Sequence, residues 1–293
     1  MENLKAPINA ADSVVKEWVH QKKVAVSSQP ATLLVEDQIT QSESELEELW
    51  ADGAYVSWLG GPAIGAGEWP HRDDGQPLIH IASISLELLI GSSAFEISDI
   101  SVRRPPQDTL PSNGVLEIFH DLESFGYDDG DRASGSWLVR VVPSEERVAL
   151  VNNQSALERV PEAYFKHVIP YEGFTLPSSA DLNLSELEFE AYEGVLVDYN
   201  LSWQVQRGVD KPHYEAPTSH IYGHSSRGVR PVSSFLSSVL DCDESDLILI
   251  AEFESWIGFP GWFGDAGSLE VWISRGSLKA CDFSAAWCMI RTD

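Results

Sequence analysis

Two stretches of this chain carry the same pattern. Ile81-Ala82-Ser83-Ile84-Ser85 is answered by Ile250-Ala251-Glu252-Phe253-Glu254. Further along each stretch, Gly114-Val115-Leu116-Glu117-Ile118-Phe119 is answered by Gly267-Ser268-Leu269-Glu270-Val271-Trp272. A weaker pair, Gly60-Gly61-Pro62 and Tyr222-Gly223-His224, precedes them. Each stretch reads as strand, glycine-bearing connection, strand. Self-similarity of this kind predicts a duplicated α+β unit. The bland alternative is a chance agreement between strand patterns. The expected fold is α+β, a duplicated unit with mainly antiparallel sheets and a few helices.

The rest of the chain fits around this pattern. Ala10 to Gln21 carries Val14, Val15, Trp18 and Val19 at helical spacing, and Val24 to Val26 and Leu33 to Val35 read as short strands. Ser42 followed by Glu45 is a capping-box pattern, with Gly53 as the stop. Leu78 to Leu86, Val115 to His120 and Trp137 to Val142 read as strands, the last two as a hairpin with a long acidic loop. Ile90 to Val102 is ambiguous and reads as an insertion. Ala163 to Phe174 looks extended. Ser185 with Glu188 opens a second helix, with Leu184, Leu187, Tyr192 and Leu196 on one face. The expected division is a helical extension over 1–54, a first half over 55–143, a connecting region over 144–219 and a second half over 220–293. The halves pack as one compact domain.

Composition narrows the function. Asp and Glu number 46 against 19 Lys and Arg, a formal net charge of −27 on 293 residues. Such a field repels nucleic acid and anionic lipid and draws in basic partners. The plain alternative is a solvated acidic surface that aids solubility. The three cysteines form no CxxC pair, and their spacing suits neither a zinc site nor a disulfide framework. The N-terminus lacks the basic and apolar regions of a signal peptide, and no run is long enough to span a membrane. A cytoplasmic protein is expected, without metal or cofactor.

No motif states a chemistry. Gly223-His224-Ser225-Ser226-Arg227 imitates a nucleophile elbow, but Arg227 replaces the last glycine and no apolar strand is evident just before it. Gly65-Ala66-Gly67 begins a dinucleotide fingerprint that Pro70 and Trp69 spoil. Asp241, Asp243, Ser245 and Glu252 match calcium-loop positions, yet Asp246 stands where the tight turn wants glycine. The loop with Asp121, Glu123, Asp128, Asp129 and Asp131 is a better cation candidate, with Gly126 at a plausible place, but Arg132 stands at the closing position and the plain alternative is a solvated hairpin tip. No catalytic residue is assigned. The candidates for ligand or partner contact are Glu68, Trp69, Trp256, Trp262, Phe263 and Asp265. Asp265 in Gly-Asp-Ala-Gly equally suits a turn that bonds its own backbone, and the aromatic residues equally suit a buried corner.

The order and spacing of several short motifs resemble the YwqG-like family of uncharacterised, mostly bacterial proteins. They are Gly60-Gly61-Pro62, Glu68-Trp69-Pro70, Gly75-Gln76-Pro77-Leu78, Leu110-Pro111, Gly114-Val115-Leu116, Gly264-Asp265-Ala266-Gly267, Trp272 and Asp282-Phe283. The resemblance covers Tyr55 to Ile290 and implies an α+β fold with a duplicated sheet, but no established chemistry. Ser83 and Ser85 stand where such proteins tend to carry Gln and Asp. Some relatives are thought to lie near toxin–immunity genes.

Three functions remain open. The first is a non-enzymatic acidic protein-binding module, in its sharpest form an immunity protein that neutralises a basic toxin. The second is a small-ligand or peptide-binding protein that uses a cleft between the halves, lined by Trp69, Trp256 and Trp262. The third is a hydrolase or transferase using a carboxylate such as Glu68 or Asp265; a strongly shifted carboxylate in a cleft would favour it.

Overall fold

The computed structural model of the protein describes residues 28–36, 42–89, 94–97, 100–103, 108–144, 148–206, 219–255 and 258–292. Ten strands build the main sheet. In chain order they are β1 (Gln29–Glu36), β2 (Ser57–Gly60), then, after the two-residue β3 (Ala63–Ile64), β4 (Ile79–Ser85). A small hairpin, β5 (Ala94–Ile97) and β6 (Ile100–Arg103), precedes β7 (Val115–His120) and β8 (Trp137–Val142). After the two-residue β9 (Leu150–Val151) come β10 (Phe165–Thr175), β11 (His220–Tyr222), β12 (Leu247–Glu254), β13 (Ser268–Ser274) and β14 (Trp287–Arg291). The order across the sheet is β14-β13-β12-β11-β1-β10-β2-β4-β7-β8, and each neighbouring pair runs antiparallel. The fold is therefore α+β with a mainly antiparallel sheet.

The centre of this sheet is the pair β1–β10. Sequence reading assigns β1 to an extension and β10 to a connecting region. The structure makes them the joint of the molecule. Ala31, Thr32, Leu33 and Leu34 are all buried, as expected of a strand covered on both faces. To one side lie β2, β4, β7 and β8, the first arm. To the other lie β11, β12, β13 and β14, the second arm.

The arms share more than their strand order. In the first, Trp58 pairs with Ser83 and Ser83 with Glu117. In the second, His220 pairs with Glu252 and Glu252 with Glu270. The ladder shifts register between His80 and Ala82 in one arm and between Leu249 and Ala251 in the other. Both shifts fall where the repeated segments begin. Each arm also turns through two successive left-handed residues: Gly60 and Gly61 at φ 63° and 60°, Tyr222 and Gly223 at 64° and 88°. At Gly60 a Cβ would sit 2.0 Å from the Tyr164 carbonyl oxygen, so only glycine fits.

The sheet rolls into a nearly closed barrel. The first and last strands of the order are not paired, but their side chains meet. The Trp137 indole N–H donates to the Ala286 carbonyl at 3.1 Å, and its ring meets Trp287 edge-on at 5.0 Å. The acidic loop after β7 fills the seam: the Ile290 N–H donates to Phe125 O at 3.1 Å and the Trp287 indole to Gly126 O at 2.8 Å. Covering both edges removes a template for aggregation. One apolar cluster spans both arms, with Leu59, Ile118 and Val168 packed together with Ile221, Phe253 and Val271. Each such side chain contributes about 1.5–3 kcal/mol when buried.

Helices pack outside the sheet. The first, α1 (Glu43–Ala51), has the expected capping box: Ser42 Oγ accepts from the Glu45 N–H, and the Glu45 carboxylate accepts from the Ser42 N–H. It lays Leu46 and Trp50 on Val56, Trp58 and Ile64. Between β7 and β8 is the short α2 (Asp129–Ala133), and α3 (Gln154–Leu157) precedes β10. The long α4 (Glu186–Gln206) packs Tyr192, Val195 and Tyr199 on Leu33 and Phe174. Of the residues expected on that face, Leu184, Tyr192 and Leu196 pack on this cluster, whereas Leu187 is 80% exposed. The last two are α5 (Ser233–Val239) and α6 (Arg275–Lys279). The expected helix over Ala10 to Gln21 and strand over Val24 to Val26 lie outside the described residues. Among those residues no helix is long and apolar enough to cross a membrane.

Candidate functional site

The second arm gathers charge where a sheet normally buries apolar side chains. Successive antiparallel pairings set His220, Glu252 and Glu270 side by side on β11, β12 and β13. Arg291 of β14 joins them. Both carboxylates are 0% exposed. Ionised groups so deep persist only when paired and hydrogen-bonded. The chain supplies the partners from the turn that follows β11.

That turn, residues 223–228, folds down over the carboxylates. Glu252 accepts from the Ser226 N–H at 2.9 Å and from the Ser226 hydroxyl. His220 Nε2 lies 3.6 Å from the same carboxylate, and its Nδ1 lies 2.5 Å from the Tyr222 carbonyl. Both ring nitrogens thus face oxygen atoms, which fixes the ring between the turn and the carboxylate. Glu270 accepts from the Ser225 hydroxyl at 2.5 Å, the Trp272 indole at 2.8 Å and Arg291 Nη1 at 3.2 Å. Ser225 Oγ in turn accepts from the Arg227 N–H at 3.2 Å.

The two acids are pushed apart electrostatically. Burial, and then the charge of Glu252, raise Glu270 to about 7 despite Arg291, Ser225 and Trp272. Burial also works to raise Glu252, but His220 and the two Ser226 donors outweigh it and hold Glu252 below the usual range. Near neutral pH this arm therefore holds one firmly ionised carboxylate and one that titrates.

A cavity of about 320 Å³ opens beside this array. Ser225 and Trp272, both bound to Glu270, form part of its wall, and Asp108, Asp181, Glu244 and Arg275 add charge. Arg275 is committed to Asp108 at 2.5 and 3.2 Å and to Asp246 at 2.5 Å. Asp181 accepts from the Val229 and Arg230 N–H groups at 3.1 and 2.8 Å, which fixes the end of the turn. A smaller cavity of about 80 Å³ is lined by His220, Ser226 and Tyr199, and His224 contributes to both cavities.

The first arm carries a simpler version. Glu117, also 0% exposed, binds Arg140 through Nε at 2.9 Å and Nη2 at 2.7 Å and accepts from the Ile64 N–H at 2.7 Å. The Ser83 hydroxyl reaches it at 3.3 Å and bonds His80 Nε2 at 2.9 Å. Here Ser83 occupies the position that Glu252 has in the other arm. Arg140 lies over the Phe119 ring at 5.3 Å. One acid meets one base, and the Arg140 side chain is 23% exposed.

The residues chosen from sequence are not brought together. Glu68 and Asp265 are exposed, Asp265 in the turn before β13. The Trp69 indole donates to Leu78 O at 2.8 Å and meets Phe119 edge-on at 5.5 Å. Trp262 donates to Glu162 O at 2.9 Å and packs on Phe259 at 5.0 Å, and Phe263 is 1% exposed beside them. These rings are used in packing. Trp256 lies outside the described residues. The serine motif needs one correction: a strand, β11, does precede Gly223. Its Ser225 is nonetheless 2% exposed and tied to Glu270. No motif in the sequence singles out His220, Glu270 or Arg291, and Glu252 stands out there only at a calcium-loop position. Among the described residues no three His, Cys, Asp or Glu side chains converge as metal ligands.

The protein is thus built on a ten-stranded antiparallel sheet rolled almost into a barrel, with a buried carboxylate pair beside a cavity in its second arm. The chain belongs to the family described as Domain of unknown function (DUF1963), whose sequence profile matches residues 57–291. The match runs from the first residue of β2 to the last of β14 and leaves out β1, which joins the two arms. No curated protein matches the chain.

Proposed function

We propose that the protein is a non-enzymatic binding module whose ligand seat is the cavity of the second arm. The ligand is a small molecule or a short peptide segment with a positively charged end. One observation carries this reading: a cavity of about 320 Å³ is walled by Ser225 and Trp272, and both are held by a buried, titrating Glu270. Ligand sites typically are concave, with a few polar groups fixed in place. The acid groups at its rim and the net charge of −27 favour a cation and speed its approach. Binding is a better account than catalysis because both carboxylates are buried and each accepts several hydrogen bonds, an arrangement suited to holding a turn. The narrower form of the proposal is immunity, in which a basic toxin supplies the charged segment. It draws on the net charge and on the likeness to YwqG-like proteins.

We also infer that the two arms are copies of one unit. The shared strand order, the matched register shifts and the paired left-handed turns support this. On that view the first copy kept a closed charge pair and the second took on the ligand.

Titration calorimetry with an acetylated lysine-terminated tripeptide tests the binding proposal, with the aspartate-terminated peptide as control. Selective binding of the lysine peptide, weakened by salt, is expected. Equal binding of both peptides, or of neither, would refute it.

A further inference from the structure

We propose that the second-arm cavity is proton-gated: Glu270 gives up its proton when a cation enters, and the Ser225 hydroxyl reverses its hydrogen bond as the charge changes. This rests on the binding reading above and adds a regulator to the same site.

The geometry allows few alternatives. Glu270 is faced by Glu252 on β12, with His220 beyond it on β11, by Arg291 on β14, by Trp272 on its own strand and by Ser225 on the turn. Trp272 and Arg291 bear only donors toward it, so neither can accept its proton's hydrogen bond. Ser225 can both donate and accept. With Glu270 ionised, the Ser225 O–H donates to Glu270 Oε1, while its oxygen accepts from the Arg227 N–H at 3.2 Å. With Glu270 protonated at that oxygen, the new O–H donates to Ser225 Oγ. The serine's own hydrogen is then released from Glu270 and turns toward the cavity that Ser225 lines.

The two states therefore offer different cavities. The ionised state places a negative charge directly behind Ser225 and Trp272, which favours a cation. The neutral state removes that charge and presents an O–H donor, which favours an acceptor. The Asp108, Asp181, Glu244 and Arg275 charges at the wall stay in place in both. The proton lost from Glu270 goes to solvent, so cation entry and proton release balance. Burial and the neighbouring Glu252 set the transition at about pH 7.

The test is calorimetry with the acetylated lysine-terminated tripeptide from pH 6 to 8, in buffers of different ionisation enthalpy. The ionised fraction rises about tenfold over that interval, so affinity is expected to rise about tenfold, with proton release. In Glu270→Gln the peptide should bind with no such slope. A wild-type affinity that does not change with pH, or a slope that survives in Glu270→Gln, would overturn the gate.

Two further readouts separate the gate from the binding reading and from a misfolded variant. The Trp272 indole N–H resonance of the ligand-free protein should titrate with a midpoint near 7. If it does so while no peptide binds, the gate stands and the ligand assignment fails; if it does not titrate, the gate fails. Ser225→Ala leaves Glu270 able to titrate but removes the reversible hydroxyl. It should keep the pH slope for the lysine peptide and lose binding of acetate at pH 6. Wild-type protein that shows no acetate binding at pH 6 would refute the reversal.

Discussion

The two arms use the same strand order for different ends. In the first, one buried acid, Glu117, is matched to one base, Arg140, which also bonds the Ala66 and Ile64 carbonyls. In the second, the position of Ser83 is taken by Glu252, so two acids face each other across neighbouring strands. A single base no longer suffices. His220, Arg291 and two serines of a turn are recruited, and one acid is still left titrating near neutrality. The arms thus differ at Ser83 and Glu252, at Trp58 and His220, and in the base, which stands opposite the acid in one (Arg140) and two residues along the strand in the other (Arg291). An unbalanced buried charge costs stability, and carboxylates shifted in this way cluster at functional sites.

The largest expected effect breaks the symmetry between the arms. Arg140→Met strands Glu117, which is 0% exposed, with the Ile64 N–H and the Ser83 hydroxyl as its remaining donors. It should destabilise the protein by about 3 kcal/mol in urea denaturation at pH 7. Arg291→Met removes a partner of Glu270, but that carboxylate can take up a proton instead. Its cost should be about half as large at pH 6 and grow toward that of Arg140→Met by pH 8. Equal, pH-independent costs would erase the distinction between the arms.

The next effect concerns the pH dependence of stability. Glu270 is raised from an ordinary value of 4.5 to about 7. Between these values the unfolded chain loses the proton and the folded one keeps it. Stability therefore falls as pH rises through this window, by about 3 kcal/mol in total. The first arm holds the opposite case. His120 is buried, stacked on Trp137 at 6.0 Å, and burial lowers it from 6.5 to about 4. The unfolded chain takes up that proton first, so stability falls as pH drops through this range. The two slopes offset one another between about pH 4.5 and 6.5. Relative to wild type, Glu270→Gln should gain stability as pH rises and His120→Gln should gain it as pH falls. Differences of the same sign in both variants would contradict this pairing.

How much of this was legible in the sequence depends on distance along the chain. Val115 to His120 was read to the residue, and the repeated segments matched the later register shifts, because alternation and glycine placement are local signals. The role of β1 and β10 was hidden. Nothing in Leu33 to Val35 or Ala163 to Phe174 says which strands will lie on either side, since pairing order is decided by contacts far apart in sequence. Along the α4 face, Leu184, Tyr192 and Leu196 pack on the cluster as read, and only Leu187 was misplaced, because it looks as apolar as its neighbours. The site was missed for a different reason. Large aromatic residues draw attention, yet Trp262 and Phe263 fill the core. Glu252 and Glu270 are two acids among 46 Asp and Glu residues. Their only mark is their setting, LILIAEFE and SLEVWIS, where a charge interrupts strands that are otherwise suited to burial. A buried strand that contains an acid was the signal available.

The most direct measurement is a crystal structure grown at pH 8 with the acetylated lysine-terminated tripeptide. The lysine ammonium is expected in the second-arm cavity, against Ser225 and Trp272, with the first arm around Glu117 and Arg140 unchanged. A peptide seated elsewhere, such as on the acidic loop between β7 and β8, with the cavity empty, would contradict the account.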